Sequence, residues 1–165
     1  DSFIKAVSHD GVTEPTVTNV GLTLGILPFE KIQMEAGMDF RDTGGDHKYP
    51  LYLNAKLGIP EEALFTGSPA IAIGGYDFGT KKDGTDYNII YGIFAKTIGK
   101  LGRFSAGYYY GNDDLLKDIN GKRDNHGVLL SWDRTLTEIS DKLWAAIDYQ
   151  GRKEYLWCAK FWILL

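Results

Sequence analysis

The chain has 165 residues, of which 18 are basic and 22 acidic, and its formal net charge is −4. This balance lacks the basic footprint of a nucleic-acid-binding protein, and a single cysteine, Cys158, excludes a disulfide within the chain. No apolar run approaches the roughly 20 residues that a membrane-spanning helix needs.

Apolar residues alternate with a period of two between breaks rich in glycine and proline, which predicts strands along the whole chain. The short connections favour antiparallel hairpins over crossover helices. The predicted fold is all-β, a single antiparallel up-and-down β-barrel of about ten strands over residues 1–165. The predicted strands are residues 2–8, 16–27, 31–41, 50–59, 70–78, 87–97, 102–111, 125–134, 142–150 and 154–165.

The connections between these strands fall into two sets. Those after odd-numbered strands, here called odd loops, are mostly rich in Asp, Lys, Gly and His, whereas those after even-numbered strands, here called even turns, are tighter or more apolar. The odd loops are residues 9–15, 42–48, 79–86, 112–124 and 151–152, and the even turns are residues 28–30, 60–68, 98–101 and 136–141. Polar loops at one end and short turns at the other are typical of a transmembrane barrel.

Six of the predicted strands have one apolar and one polar face. The polar face has 24 positions, of which six are charged and seven are glycine. The apolar face has 25 positions and no charge. These 25 are Val20, Leu22, Leu24, Ile26, Ile32, Met34, Ala36, Met38, Phe40, Leu51, Leu53, Ala55, Leu57, Ile59, Phe104, Ala106, Tyr108, Tyr110, Val128, Leu130, Trp132, Leu143, Ala145, Ile147 and Tyr149.

The glycines indicate which face points inward. On a water-exposed sheet surface glycine gives up β-propensity and packing, whereas inside a narrow barrel it leaves room for long polar neighbours. We therefore predict a polar interior and an apolar exterior against lipid, with aromatic residues such as Phe40, Tyr110 and Trp132 near the strand ends. A soluble carrier of a hydrophobic ligand has the same alternation with the apolar face inward, although the sequence predicts no helix to cap such a barrel.

Three segments resemble Gram-negative outer-membrane β-barrels of an uncharacterised porin-like group. They are Gly21 to Phe40, Asn54 to Phe65 and Asn88 to Ile98, within a resemblance that covers roughly residues 17–150. The resemblance implies a location in the outer membrane and a transmembrane barrel architecture, with membrane lipid as a partner. It implies no catalytic residues.

Eight charged residues are predicted to face the lumen of the barrel. One interpretation is a polar lumen that selects small solutes or ions, and the other, which we favour at this stage, is a salt-bridged plug that fills a narrow bore. The predicted lumen-facing residues are Glu35, Asp39, Lys56, Asp77, Lys96, Arg103, Asp133 and Asp148. Residues 70–78 and 154–165 alternate less clearly, so the faces of these two strands are not defined by the pattern.

Signals of catalysis or metal binding are weak throughout the chain. Asp42-Thr43-Gly44 matches the Asp-Thr-Gly of aspartic proteases, but no second copy exists here, so a turn is the preferred interpretation. The loop around Asp118 lacks a ligand at the first position of a calcium loop. His9, His47 and His126 have no partner at ligand spacing, and Cys158 lies on an apolar segment. We therefore predict no enzyme activity, no cofactor and no metal.

Overall fold

A computed structural model describes residues 4–5, 17–27, 29–42, 51–118, 120–151 and 156–163, with side chains described within residues 20–151 only and not at Asp42. The strands pair antiparallel in chain order, so the predicted all-β meander is confirmed. They are β1 (Ile4–Lys5), β2 (Val17–Gly25), β3 (Gln33–Asp42), β4 (Leu51–Ile59), β5 (Ala70–Gly79), β6 (Asp86–Thr97), β7 (Arg103–Tyr110), β8 (His126–Thr135), β9 (Leu143–Gln150) and β10 (Leu156–Ile163).

The eight strands β2 to β9 form the body of the sheet, which curls into a half-barrel. Strand β1 adds only the pairs Ile4 with Thr18 and Lys5 with Val17, and the rest of the predicted first strand lies outside the described residues. Strand β10 pairs along its whole length with β9. The described residues contain one short helical segment, a 3-10 turn at Gly99–Leu101 in an even turn.

The polar face of the sheet is the concave one. Side chains from β5, β6, β7 and β8 meet on this face, where Ile89 and Tyr109 are buried together with Leu116 of the odd loop after β7. Only 1% of Tyr109 is exposed. Tyr76 of β5 packs against the cluster that contains Tyr109 of β7, and such contacts between strands that are not neighbours require the sheet to bend toward this face. The right-handed twist of β-strands favours bending of this kind.

The apolar face is convex and exposed. Its register is continuous across the sheet, as in the row of Leu57, Ile73, Tyr108 and Val128. Sixteen large apolar side chains of this face are between 39% and 60% exposed. They are Val20, Leu22, Leu24, Met38, Phe40, Leu53, Leu57, Ile73, Ile90, Phe94, Phe104, Tyr108, Tyr110, Val128, Leu130 and Ile147.

A β-bulge explains why the alternation of β5 is unclear in the sequence. The register between β5 and its neighbours shifts near Asp77, whose backbone has a φ of 57°. Ile73 before the bulge and Phe78 after it therefore both lie on the convex face, although they are five positions apart and an odd offset normally places two residues on opposite faces. Asp77 is then free to contact Arg41 from the concave side.

Two glycines of the concave face, Gly37 and Gly74, lie beneath polar side chains of neighbouring strands. A Cβ atom at Gly37 would come within 2.6 Å of Asn54 Oδ1 and Thr23 Oγ1 and within 2.5 Å of the Leu22 carbonyl oxygen. A Cβ atom at Gly74 would lie 2.7 Å from the Tyr91 hydroxyl oxygen. The inward curvature crowds these side chains, so the positions beneath them have no room for a side chain.

We expect Gly37→Ala to lower the free energy of unfolding by about 1–3 kcal/mol, the usual cost of overpacking, because the Leu22 carbonyl cannot move without breaking the sheet. Gly25→Ala is the matched control, since nothing lies within 4 Å of the atom that it adds. Urea unfolding followed by circular dichroism measures both changes. Equal stability of the two variants would contradict this account of the concave face.

Candidate functional site: a polar groove on the concave face

A polar groove of about 510 Å³ runs along the concave side of β2, β3 and β4. Its floor contains glycine and its far wall is aromatic. The residues that provide its polar groups are Thr23, Glu35, Asp39, Asn54, Lys56 and Tyr91. A second cavity of about 450 Å³ shares Glu35 and Lys56 with the first and reaches Glu30 and Phe29 in the first even turn. The second cavity therefore adjoins the first at Glu35 and Lys56 and lies toward the even-turn end.

An ion pair lies where the two cavities meet. Lys56 Nζ is 2.6 Å from Glu35 Oε1, and the two residues are register partners on β4 and β3. Their side chains are 42% and 43% exposed, so the pair adds only about 0–1 kcal/mol to stability. The pair is therefore a weak stabilising contact, and it lines both cavities.

The carboxylate of Asp39 adds a negative charge to the groove, and its described hydrogen-bond partner is neutral. Its Oδ2 accepts a hydrogen bond of 3.0 Å from the Asn54 side-chain amide, which is neutral. Within the described part of the chain, no cationic side chain forms an ion pair with Asp39. Among the described side chains, Lys56 is paired with Glu35 and Arg41 with Asp77, which leaves Asp39 as an excess carboxylate in the groove.

A second ion pair lies at the odd-loop end of the same face. Arg41 Nη2 is 2.8 Å from Asp77 Oδ1, and the Arg41 guanidinium lies 4.4 Å from the centre of the Tyr52 ring. Arg41 comes from β3 and Asp77 from the bulge of β5, so this contact passes over β4. The pair and the ring narrow the concave face next to Asp39.

Aromatic and aliphatic side chains fill the other half of the concave face. Tyr109, Ile89 and Leu116 form its buried centre, and Tyr76, Tyr87, Tyr91 and Leu129 pack against it. The loop that carries Leu116 is held down by its asparagines, because Asn112 Nδ2 donates to the Asp86 carbonyl and Asn125 Nδ2 to the Gly111 carbonyl, each at 3.0 Å. Thus the interior is packed near β6 to β8 and open near β2 to β4.

Most of the predicted lumen-facing residues lie on the concave face. Glu35, Asp39 and Lys56 line the groove, and Asp77 lies beside it. Arg103 and Asp133 are register partners, and their further pairing with Thr97 and Ala146 places them on the same face. Asp148 also lies on this face, where it accepts a 2.7 Å hydrogen bond from the Ser131 hydroxyl. That these side chains face the lumen of a closed barrel stays a prediction.

Lys96 does not lie on the concave face, contrary to the prediction that it faces the lumen. It is the register partner of Phe104, which places it on the convex face and not in the interior. Its ammonium group instead reaches the second even turn, where Nζ is 2.7 Å from Glu62 Oε1 and 3.4 Å from Glu61 Oε2. A long lysine side chain at a strand end can satisfy its charge beyond the apolar surface in this way.

Arg41 and the tyrosines of the packed half were not among the residues predicted to form the site. Arg41 follows Asp39 by two residues, so strict alternation could have placed it on the polar face. Tyr91 and Tyr109 also occupy polar-face positions by alternation, opposite one another in the register. Leu116 had no such signal, because it comes from a loop whose position depends on tertiary contacts.

Two of the weaker candidates, Asp118 and His126, lie within the described residues. Asp118 Oδ1 accepts the backbone N–H groups of Asn120 and Lys122, at 2.9 and 2.8 Å, as in an ordinary turn. His126 Nδ1 and the Tyr108 hydroxyl share a 2.8 Å hydrogen bond on the convex face. The Asp42-Thr43-Gly44 side chains, His9, His47 and the Cys158 side chain lie outside the described residues.

Among the described side chains, no group of three or more His, Cys, Asp or Glu residues could hold a metal ion. The described residues also contain no helix that is long and apolar enough to cross a membrane. Comparisons of the chain with protein-family models, with curated proteins and with solved structures found no match. The resemblance to porin-like barrels therefore stays an expectation from the sequence.

The ion pairs of the second even turn predict a pH dependence. The hydrogen bond from Lys96, followed by that from the Gly67 N–H, lowers the pKa of Glu62 below its ordinary value of 4.5. Because the pKa of Glu62 is lower in the folded chain than in the unfolded chain, the ionised Glu62 stabilises the folded turn above pH 4.5. This stabilisation is lost as the pH falls through the pKa that Glu62 has in the folded chain. We expect Lys96→Met to move the Glu62 pKa back toward 4.5.

A carbon-13 NMR titration of the Glu62 carboxylate measures this pKa directly. Lys142→Met is the control, since it removes a lysine near another even turn and leaves the contacts of Glu62 intact. An unchanged Glu62 pKa in Lys96→Met would show that the ion pair does not exist in solution.

Proposed function

We propose that the chain forms a ten-stranded β-barrel that spans the outer membrane of a Gram-negative bacterium and acts as a porin-like protein without catalysis. The observation that carries the proposal is the exposure of the convex face, where sixteen large apolar side chains are at least 39% exposed while polar groups line the concave side. In this proposal β1 and β10 complete the ring of strands, and the convex face contacts lipid.

The energetics of the convex face support a lipid environment. Burial of one large apolar side chain stabilises a protein by about 1.5–3 kcal/mol, and soluble monomers rarely expose a continuous apolar surface of this extent. Strands β2 to β9 are 8 to 12 residues long, close to the ~9–11 residues of a tilted transmembrane strand. Both the chemistry and the length of the strands suit a bilayer.

The curvature disfavours the soluble carrier. Such a carrier encloses its hydrophobic ligand within an apolar concave face. Here the concave face holds Glu35, Asp39 and Lys56, and a carrier would have to leave its ligand-binding side chains on the outside.

The interior supports a restricted path for small ions or polar solutes. We propose that the packed half around Tyr109 is structural and that the groove of Asp39, Glu35 and Lys56 is the path. In this arrangement aromatic and aliphatic side chains, rather than the salt-bridged plug expected from the sequence, fill one half of the interior, and the other half is the path. The excess of carboxylates in the groove favours cations over anions.

The membrane proposal predicts opposite outcomes for two adjacent positions of β2. Leu22 lies on the convex face and Thr23 lines the groove. An arginine on a lipid-facing position costs about 2–4 kcal/mol near the bilayer midplane, so Leu22→Arg should reduce the fraction that folds into phosphatidylcholine vesicles. Thr23→Arg, the matched control, should fold nearly as well as the original chain.

The folded fraction is read from a gel on which folded barrels change mobility after boiling. Equal folding of the two variants would contradict the assignment of the faces. Recovery of the original chain as a detergent-free soluble monomer would contradict the membrane location itself.

The path through the groove predicts a change in ion selectivity. In planar bilayers, Lys56→Glu should raise the preference for potassium over chloride, because it replaces a positive charge by a negative one where the cavities meet. Arg103→Glu makes the same change of charge on the concave face outside the groove and should have a smaller effect. Absence of conductance steps in the original chain would indicate a closed plug and would contradict the pore.

A further inference from the structure

The even turns expose large apolar side chains at their tips. Each of the four even turns contributes at least one, and they are between 51% and 74% exposed. We call this set the apolar rim, and its members are Phe29, Leu64, Phe65, Ile98, Leu101 and Ile139. Turn tips in water are normally polar, so a rim of this composition on one end of the sheet requires a partner.

The two odd loops that the structure describes have the opposite character. The loop after β5, residues 80–85, consists of Thr, Lys, Asp and Gly. Residues 111–125 after β7, apart from 119, expose no large apolar side chain, and their Leu116 is buried against the concave face. These two loops therefore differ in composition and exposure from the four even turns.

Acidic groups next to the rim are paired with cations from the convex face. Lys96 contacts Glu61 and Glu62 in the second even turn, and Arg134 contacts Glu138 in the fourth. Glu61 also accepts hydrogen bonds of 2.8 Å from the Thr97 backbone N–H and hydroxyl groups. A paired carboxylate loses less solvation energy in a less polar medium than an unpaired one.

The polar group of the aromatic side chain next to the rim also has a hydrogen-bond partner. Trp132 lies at the even-turn end of the convex face, and its indole N–H donates a 2.7 Å hydrogen bond to the Leu101 carbonyl oxygen. An aromatic ring with a satisfied polar edge is the side chain that membrane–water interfaces prefer. The rim therefore lies beyond the apolar run of the convex face, and the charges between the two, Lys96 and Arg134, are paired.

We propose that the apolar rim lies in the interfacial layer of the bilayer and anchors the even-turn end of the protein in lipid. This inference rests on the membrane function proposed above. The rim follows the curved edge of the sheet from the β2–β3 turn to the β8–β9 turn, so a protein partner on one side would cover only neighbouring tips. A lipid layer surrounds the whole edge and covers all four.

The test uses a fluorophore sensitive to polarity, attached to single cysteines in a Cys158→Ser background and folded into phosphatidylcholine vesicles. Phe65→Cys and Ile139→Cys report on two different even turns. Leu22→Cys reports on the convex face, and Lys82→Cys reports on an odd loop. The gel mobility of each variant confirms that it has folded, and the two rim positions make the test independent of either single variant.

We expect both rim positions to show blue-shifted emission, quenching by lipids that carry a nitroxide near the headgroup, and loss of quenching by aqueous iodide. Lys82→Cys should retain iodide quenching. Rim positions that behave like Lys82→Cys, while Leu22→Cys is quenched by lipid, would overturn the inference and leave the spanning barrel intact. Rim positions shielded from both lipid and iodide would also overturn it, because another protein surface would then cover the rim. Loss of lipid quenching at Leu22→Cys would instead overturn the proposed function.

Discussion

The direction in which the sheet curves determines the rest of the structure. Neighbouring residues of a strand point to opposite faces, so the bend assigns every side chain of β2 to β9 to the enclosed side or to the surroundings. Here the bend encloses Glu35 and Lys56 and exposes Leu22 and Leu57. A sheet with the same residues bent the other way would have an ordinary apolar core, and no lipid would be needed to explain its surface.

The same bend explains the composition of the concave face. Side chains on the inner side of a curved sheet converge, so charged groups, tyrosines and glycines compete for limited volume. Glycine at position 37 lets Asn54 and Thr23 lie flat, and glycine at position 74 makes room for Tyr91. Where tyrosines dominate, the space is filled, and where short polar residues and glycines dominate, a groove remains. The division of the interior into packed and open halves follows from which strands carry the large rings.

The sequence predicted those features that depend on local alternation. The strands β2 to β9 begin and end within about two residues of their predicted limits, and Glu35, Asp39 and Lys56 meet in one groove. Features that interrupt the alternation or connect distant segments were not predicted. The bulge at Asp77 reverses the parity within β5, and Leu116 reaches the interior through a loop fold that no periodicity encodes. Lys96 was assigned to the polar interior because it is charged, whereas its position at a strand end lets it reach Glu62 instead.

Lys96 and Arg134 also mark where the apolar surface changes character. On β6 the convex face runs through Ile90 and Phe94 before Lys96, and on β8 it runs through Leu130 and Trp132 before Arg134. These two strands end at the same side of the sheet, and in both of them the first convex-face charge after the apolar run is paired with a glutamate of an even turn. A paired charge is costly in hydrocarbon but acceptable among lipid headgroups. In the membrane orientation proposed above, this level would correspond to the membrane boundary and the rim just beyond it would lie in the interfacial layer, because its exposed side chains are apolar while the neighbouring carboxylates are paired.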